Sequence, residues 1–136
     1  MSYLLDSSAL LAYYFAEPGG ARVLELLSGE GTEVSISVLT MGEFWSRLRS
    51  EGSPFAFFEE WRSLSELFTS IHPVTVEIVH QSIELRSVAT GRLPHIDALI
   101  AATAASLGAT LVHRDPHFST IPQSLLQQES LPEKQP

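Results

Sequence analysis

Short apolar runs alternate with longer amphipathic segments along this chain. Compact apolar runs, several of them rich in β-branched residues, predict buried strands at residues 3–5, 34–38, 70–73 and 110–112. Apolar residues spaced by three and four, with glycine and proline as stops, predict helices at residues 9–15, 21–27, 41–49, 53–68, 76–88 and 95–107. Because strands alternate with helices, the pattern predicts an α/β fold with a mainly parallel sheet and helices on both faces.

The segment at residues 53–68 has a dense aromatic pattern. Phe55, Phe58, Trp61, Leu64 and Phe68 follow a mixed three- and four-residue spacing. We interpret this stripe as the buried face of a core helix rather than as a platform on which nucleobases stack. Its aromatic content exceeds what one small core requires, so we expect part of this surface to form an apolar groove for a partner.

The chain has the length of one globular domain. Its 136 residues, 44% of them hydrophobic, are enough for a single sizeable core. We expect one domain over residues 1–130 and a flexible C-terminal tail over 131–136. Since no apolar stretch approaches the ~20 residues that span a bilayer, we expect neither a membrane span nor a secretion signal. The absence of cysteine excludes disulfides, zinc ribbons, thiol nucleophiles and iron–sulfur sites.

The balance of charge is strongly acidic. Sixteen acidic and eight basic residues give a formal net charge of −8 at pH 7. Such a charge repels polyanions at long range, which argues against nucleic-acid binding through a broad basic surface. A nucleic-acid partner would need local help, either from arginine side chains or from a metal ion bound to carboxylates.

Four acidic residues occupy positions typical of a site at one edge of the sheet. Asp6 and Asp115 directly follow predicted strands. Glu43 lies in the first turn of a helix that follows another strand, and Asp97 opens the helix before the last strand. Ligands of such sheets bind beyond the carboxyl ends of the strands, so we expect the four carboxylates to converge there.

This cluster has two interpretations. In the first interpretation the acids form a metal site. Carboxylates that are not neutralised repel one another, and their oxygen atoms suit Mg²⁺ or Mn²⁺ as ligands. Such ions activate water and stabilise charge on a phosphodiester. The same residues also fit ordinary caps and turns, because Asp is a preferred N-cap, Asp115-Pro116 is a common turn and residues 40–43 fit a capping box. The pattern alone supports both interpretations about equally.

Sequence motifs favour the first interpretation. Residues 3–11 (YLLDSSALL) closely resemble the opening of PIN-domain ribonucleases, and residues 17–24 (EPGGARVL) resemble the continuation in VapC-type toxins. The segments that carry the other three acids, 37–43, 94–102 and 111–118, match the family in order. The resemblance covers residues 3 to about 122, and although each motif is weak alone, four in order make a strong signal.

The resemblance implies a PIN-like three-layer α/β/α sandwich and a divalent-metal site built by Asp6, Glu43, Asp97 and Asp115. It implies an endoribonuclease that uses Mg²⁺, with Mn²⁺ as the alternative ion, to hydrolyse RNA phosphodiester bonds. It also implies the toxin role in a type II toxin–antitoxin pair, with a cognate antitoxin as partner, a cytoplasmic location and a homodimer. We expect the dimer surface around Leu10, Tyr13, Tyr14, Leu24 and Leu27.

Basic residues near the acids receive secondary roles. His113 stands where the family more often has Thr or Ser, and we expect it to bond a neighbouring carboxylate. Arg47 follows Glu43 by one helical turn and is expected to form a salt bridge with it. The remaining candidate phosphate contacts are Arg22, Arg92 and Arg114.

Other classes of protein fit less well or remain open. A phosphotransferase of the haloacid dehalogenase type needs a second Asp two residues after the first, where this chain has Ser8. A receiver domain needs a lysine near its aspartate, and the only lysine is Lys134. Two alternatives remain: a PIN-like scaffold that binds a partner protein without cleaving RNA, and a housekeeping PIN nuclease.

Overall fold

A central parallel sheet organises the molecule, for which a computed structural model describes residues 1–132. The strands in this range are β1 (Ser2–Leu5), β2 (Glu33–Ser37), β3 (Ser70–His72), β4 (Thr110–His113) and β5 (Gln128–Ser130). They pair in parallel in the order β3-β2-β1-β4-β5. The predicted parallel α/β sheet is confirmed.

Helices cover both faces of the sheet. The α-helices are α1 (Ser7–Tyr14), α2 (Gly20–Ser28), α3 (Leu39–Ser50), α4 (Phe57–Ser65), α5 (Val76–Val88) and α6 (His95–Leu107). Short 3₁₀ helices lie at Pro54–Ala56 and Pro116–Thr120. The first four α-helices pack on one apolar cluster, and α5 and α6 pack on a second. The result is the three-layer α/β/α sandwich that the sequence predicts.

Strand β1 shows how the sheet divides the two clusters. Tyr3 and Leu5 belong to the cluster beneath α1 to α4, whereas Leu4 between them belongs to the cluster beneath α5 and α6. This alternation follows from the two-residue period of a strand, and it requires apolar residues at consecutive positions when both faces are covered. All three side chains are buried.

The carboxyl ends of three strands lie side by side. Leu5 at the end of β1 pairs with Ile36 of β2 and with Val112 of β4. The chain turns from these strand ends into α1, α3 and the 3₁₀ helix at Pro116–Thr120. The register therefore brings the residues that follow β1, β2 and β4 to the same edge of the sheet.

The aromatic segment differs from its prediction. Instead of one helix over 53–68, a 3₁₀ turn precedes a shorter α4, and this change rotates the buried face. Phe55 and Phe58 are 87% and 83% exposed, while Phe57 packs in the core and stacks on Trp61 at 6.0 Å. The prediction that Phe55 and Phe58 belong to the core stripe was wrong. It assumed one regular α-helical period through residues 53–68, whereas the 3₁₀ turn that begins at Pro54 changes which residues face the core.

Strand β5 and the residue after it were not predicted as structure. The strand is short and polar, and it pairs only with β4 at the sheet edge. Leu131, placed by the sequence in a flexible tail, is buried in the core, and its N–H donates to His113 O at 2.6 Å. The rest of the predicted tail, from residue 133, lies outside the described residues.

One surface prediction also changes. Leu10 is completely buried, so it cannot belong to the proposed dimer surface, whereas Leu24 is half exposed.

Among residues 1–132, no helix combines the length and the apolar character needed to cross a membrane.

Candidate metal centre

Asp6 is fixed at the junction of β1 and α1. Its backbone N–H donates to Val112 O at 3.0 Å, and its side chain caps α1 by accepting from the N–H of Ala9 at 2.9 Å. Ser8 Oγ donates to the same carboxylate oxygen at 2.7 Å. Burial raises the pKa of Asp6 to about 7, although these two hydrogen bonds favour the ionised form. A nearby cation would lower this pKa and favour the ionised carboxylate at neutral pH.

Asp97 lies in the first turn of α6. Glu43, expected in the first turn of its helix, lies in the second turn of α3, because that helix begins at Leu39. Partial burial raises the pKa of Glu43, which a bond from the Ser7 hydroxyl partly offsets. Burial also raises the pKa of Asp97 to about 6, and the charge of Asp115 adds to that rise. The charge of Asp115 thus acts on both carboxyl groups, as it does on Asp6.

Asp115 connects the four acids electrostatically. It lies beyond β4 and caps the following 3₁₀ helix, where its Oδ1 accepts from the N–H of His117 at 2.9 Å. Its negative charge raises the pKa of each of the other three acids, Asp6, Glu43 and Asp97. Asp115 is therefore close enough to disfavour the ionisation of the other three acids named from the sequence.

A histidine completes this group. His117 Nδ1 lies 3.0 Å from Asp115 Oδ1 and 3.5 Å from Asp97 Oδ2. This nitrogen is buried and has no hydrogen-bond partner within the described residues. Candidate ligand atoms of Asp97, Asp115 and His117 lie within 4.8 Å of one another. An unsatisfied imidazole nitrogen beside mutually repelling carboxylates fits a divalent cation, which accepts both oxygen and nitrogen donors.

Comparison with known proteins identifies the family of this domain. The PIN domain family model matches residues 3–123. This chain belongs to the PIN domain family. No curated protein sequence matches it.

Solved structures of similar fold include toxin–antitoxin proteins. VapBC2 from Rickettsia felis, bound to a fragment of promoter DNA, is 21% identical over 97% of this chain and 100% of that chain, with a TM-score of 0.77. FitAcB from Neisseria gonorrhoeae is 21% identical over 93% and 95% of the two chains, with a TM-score of 0.74. VapC20 from Mycobacterium tuberculosis, described as a sarcin-ricin loop cleaving toxin, is 19% identical over 86% and 92%, with a TM-score of 0.67. At these identities the likeness is one of fold.

In this PIN domain, His113 does not bond a carboxylate. Its Nε2 lies 2.9 Å from Gln128 Oε1, and its Nδ1 accepts from the backbone N–H of Asp115 at 3.1 Å. The expectation of a carboxylate partner was wrong, because strand β5 supplies the amide of Gln128 instead. His113 is buried, and burial lowers its pKa, so the neutral ring holds the backbone of Asp115 in place.

The arginines of the PIN domain also have other partners than expected. Arg47 binds Glu17 at 2.6 Å and Glu51 at 2.9 Å, not Glu43, so the predicted pair with Glu43 was wrong. Of the three candidate phosphate contacts, Arg22 pairs with Glu25 and Glu129, and Arg114 pairs with Glu17. Within the described residues only Arg92 of these three is exposed and makes no ion pair.

Beside the acids lies an open cleft of about 270 Å³. Its walls are formed by Leu39, Gly42, Glu43, Ile96 and Asp97. Two of the four acids, Glu43 and Asp97, thus line a space with apolar walls. Gly42 adds no side chain to this space, and no atom lies within 4 Å of the position that a Cβ of residue 42 would occupy.

Sequence reasoning missed two residues of this region. His117 follows Asp115 by two positions, and this pairing within residues 111–118 was the signal that could have identified it. Glu17 lies in the segment EPGGARVL, but its two ion pairs were not predicted. Its arginine partners lie 30 and 97 residues away in the chain. No local pattern predicts such contacts.

Proposed function

We propose that this PIN domain is a metal-dependent endoribonuclease and the toxin of a type II toxin–antitoxin pair. The observation that carries the proposal is the cluster of Asp6, Glu43, Asp97 and Asp115, each of the first three with a raised pKa, beside the unsatisfied nitrogen of His117. Repelling carboxylates at the open edge of a parallel sheet are costly unless a cation binds them.

The four acids would hold a Mg²⁺ or Mn²⁺ ion, and His117 would add a nitrogen donor. Such an ion lowers the pKa of water and stabilises charge on a phosphodiester. The chain's own groups keep the ligands oriented: Ser8 and the N–H of Ala9 hold Asp6, and the N–H of His117 holds Asp115. The acids bind and orient, so the proposed hydrolysis needs no covalent intermediate with the protein.

RNA would enter through the cleft beside Glu43 and Asp97. Leu39 and Ile96 provide apolar walls for a base or ribose, and Arg92 provides an exposed cation on the loop before α6. With a net charge of −8, the protein would depend on the bound cation and on few arginines for affinity. An RNA substrate and a chain without cysteine both accord with the cytoplasm.

The antitoxin is the proposed protein partner. The names of two similar structures refer to a toxin–antitoxin complex and to a toxin–antitoxin system. A second cleft, of about 470 Å³, is lined by aromatic, apolar and acidic side chains: Tyr13, Tyr14, Glu60, Ser63, Leu64 and Leu67. It would accept the apolar face of an amphipathic segment, while an Arg or Lys of the partner would neutralise the acids.

Expression in a bacterial host tests the toxin role. We expect wild-type protein to arrest growth with loss of intact RNA, and Asp97→Asn protein at equal abundance to be harmless. Co-expression with the small gene adjacent to this one should restore growth, and its product should co-purify. If wild-type protein is harmless and no small partner co-purifies, a housekeeping nuclease or a non-catalytic scaffold explains the fold better.

A homodimer is proposed as the assembly. Light scattering at tens of micromolar protein is expected to give twice the mass of one chain. A mass of one chain at that concentration would exclude a stable dimer while leaving the proposed chemistry untouched.

A further inference from the structure

Glu17 lies outside the acidic cluster and joins two arginines from distant parts of the chain. Its Oε2 lies 2.6 Å from Nη2 of Arg47, and its Oε1 lies 2.5 Å from Nη2 of Arg114. The two guanidinium groups come from α3 and from the segment after β4, so one carboxylate links α3 to the end of β4.

All three charged groups of this triad are largely withdrawn from water. The exposed fractions of the side chains are 14% for Glu17, 19% for Arg47 and 6% for Arg114. Arg47 is further held with its guanidinium carbon 4.4 Å from the ring centre of Phe15. Ion pairs at such positions have defined geometry, and loss of one partner leaves the others buried and uncompensated.

Each arginine is adjacent to an acid of the proposed metal centre. Arg47 follows Glu43 by one turn of α3, and Arg114 directly precedes Asp115. The backbone N–H of Arg114 donates to Ser8 Oγ at 3.0 Å, and Ser8 Oγ donates to Asp6 at 2.7 Å. A continuous set of contacts therefore runs from Glu17 to the segments that carry three of the four acids.

The backbone around Glu17 is itself closely held. Ala16 has a φ of 52°, in the left-handed region that costs free energy for any residue except glycine. The N–H of Glu17 donates to Ala12 O at 2.8 Å, and its C=O accepts from Gly20 at 2.9 Å. The strained turn directs the carboxylate of Glu17 toward Arg47 and Arg114.

We propose that Glu17 is a positioning residue, whose carboxylate holds Arg47 and Arg114 and so keeps the segments that carry Glu43, Asp115 and Asp6 in place around the proposed metal centre. The physical reason is that the acids repel one another before a cation binds, so a rigid contact behind them is needed to keep the site assembled. The inference rests on the proposed metal centre and adds the element that pre-organises it.

Metal binding by purified, metal-free protein tests this role, with Mn²⁺ alone as the probe. Calorimetric titration is compared for wild type, Glu17→Gln and Glu51→Gln. Glu51 is the matched control, because it binds the same Arg47 at 2.9 Å but is 48% exposed and does not contact Arg114. We expect Glu17→Gln to bind Mn²⁺ about tenfold more weakly or worse, and Glu51→Gln to bind within about twofold of wild type.

Thermal unfolding without metal separates positioning from general stability. Equal Mn²⁺ affinity of wild type and Glu17→Gln would overturn the proposal, even if Glu17→Gln unfolds at a lower temperature. Equal weakening in Glu51→Gln would overturn it too, since the effect would then belong to Arg47 alone. If Glu17→Gln does not fold, Glu17→Asp replaces it: its shorter side chain reaches only one arginine, so weakened binding supports the role and unchanged binding overturns it. Absence of Mn²⁺ binding by wild type would instead overturn the metal centre itself, and the proposal with it.

Discussion

His117 Nδ1 lies 3.0 Å from Asp115 Oδ1, the same oxygen that accepts the backbone N–H of His117. The carboxylate thus fixes the backbone of the residue whose ring shares its site. Since Nδ1 has no hydrogen-bond partner within the described residues, its lone pair would be available to a cation that Asp97 and Asp115 also bind. A nitrogen ligand among oxygen ligands favours Mn²⁺ over Mg²⁺, because imidazole binds the transition-metal ion Mn²⁺ more readily than it binds Mg²⁺.

Replacement of His117 by alanine is expected to change metal preference. Mn²⁺ affinity should fall by about tenfold, while the weaker Mg²⁺ affinity should change less, because Mg²⁺ relies on oxygen ligands. Calorimetric titration with each ion measures the ratio. His95→Ala is the control, since His95 is exposed at the start of α6, two residues from Asp97. Equal losses for both ions, or an equal effect of His95→Ala, would argue against His117 as a ligand.

The stability of the metal-free protein should depend on Asp6. Its pKa is about 7 in the folded state against 3.8 as its ordinary value, so the folded state binds more protons than the unfolded state between these pH values. The free energy of unfolding therefore contains a contribution from Asp6 that falls as pH rises through this window. Asp6→Asn removes the buried charge and keeps an acceptor for Ser8 and Ala9.

Urea denaturation in chelator, at about pH 5 and about pH 8, compares the two proteins. We expect Asp6→Asn to be more stable than wild type by roughly 1–3 kcal/mol at the higher pH, and this advantage to be smaller at the lower pH, where the folded wild type is mostly protonated at Asp6. A pH-independent difference would mean that Asp6 is ionised over the whole range.

The cleft beside Glu43 should depend on Gly42. A leucine at position 42 meets no atom near its Cβ and improves helix propensity by roughly 0.5–1 kcal/mol, but its side chain would occupy the cleft. We expect Gly42→Leu to keep its Mn²⁺ affinity and to lower kcat/KM for RNA cleavage by about tenfold or more. Unchanged cleavage would place the RNA elsewhere on the surface.

The aromatic segment offers a test of the fold. Phe57 packs against Phe44 and Trp61, so Phe57→Ala should lower the free energy of unfolding by about 3–5 kcal/mol. Phe55 is 87% exposed, and Phe55→Ala should stay within about 0.5 kcal/mol of wild type. Urea denaturation measures both. The reverse ranking would support the single helix that the apolar spacing suggested.

Local pattern explains which parts of the molecule could be predicted. Strands β1 and β4 have apolar centres, and β2 carries the β-branched Val34 and Ile36 between small serines. The sheet buries these residues, so the positions of the strands and the edge carrying Asp6 and Asp115 follow from the sequence. Strand β5 is three polar residues at the sheet edge, and tertiary pairing with β4 decides its structure. Arg47 and Arg114 both pair with Glu17, which follows a turn at Ala16. The left-handed backbone of that turn could not be predicted from the local sequence.

Cleavage of RNA by the purified protein tests the central claim most directly. Wild type is incubated with single-stranded RNA in Mn²⁺, in Mg²⁺ and in excess chelator, beside Asp97→Asn at the same concentration. Asp97 both lines the cleft and adjoins His117 and Asp115, so its charge is expected to be essential. The account predicts cleavage with either ion and none in chelator. It predicts that Asp97→Asn cleaves RNA at about one-hundredth of the wild-type rate or more slowly. Cleavage that persists in chelator, or an Asp97→Asn rate equal to that of wild type, would contradict it.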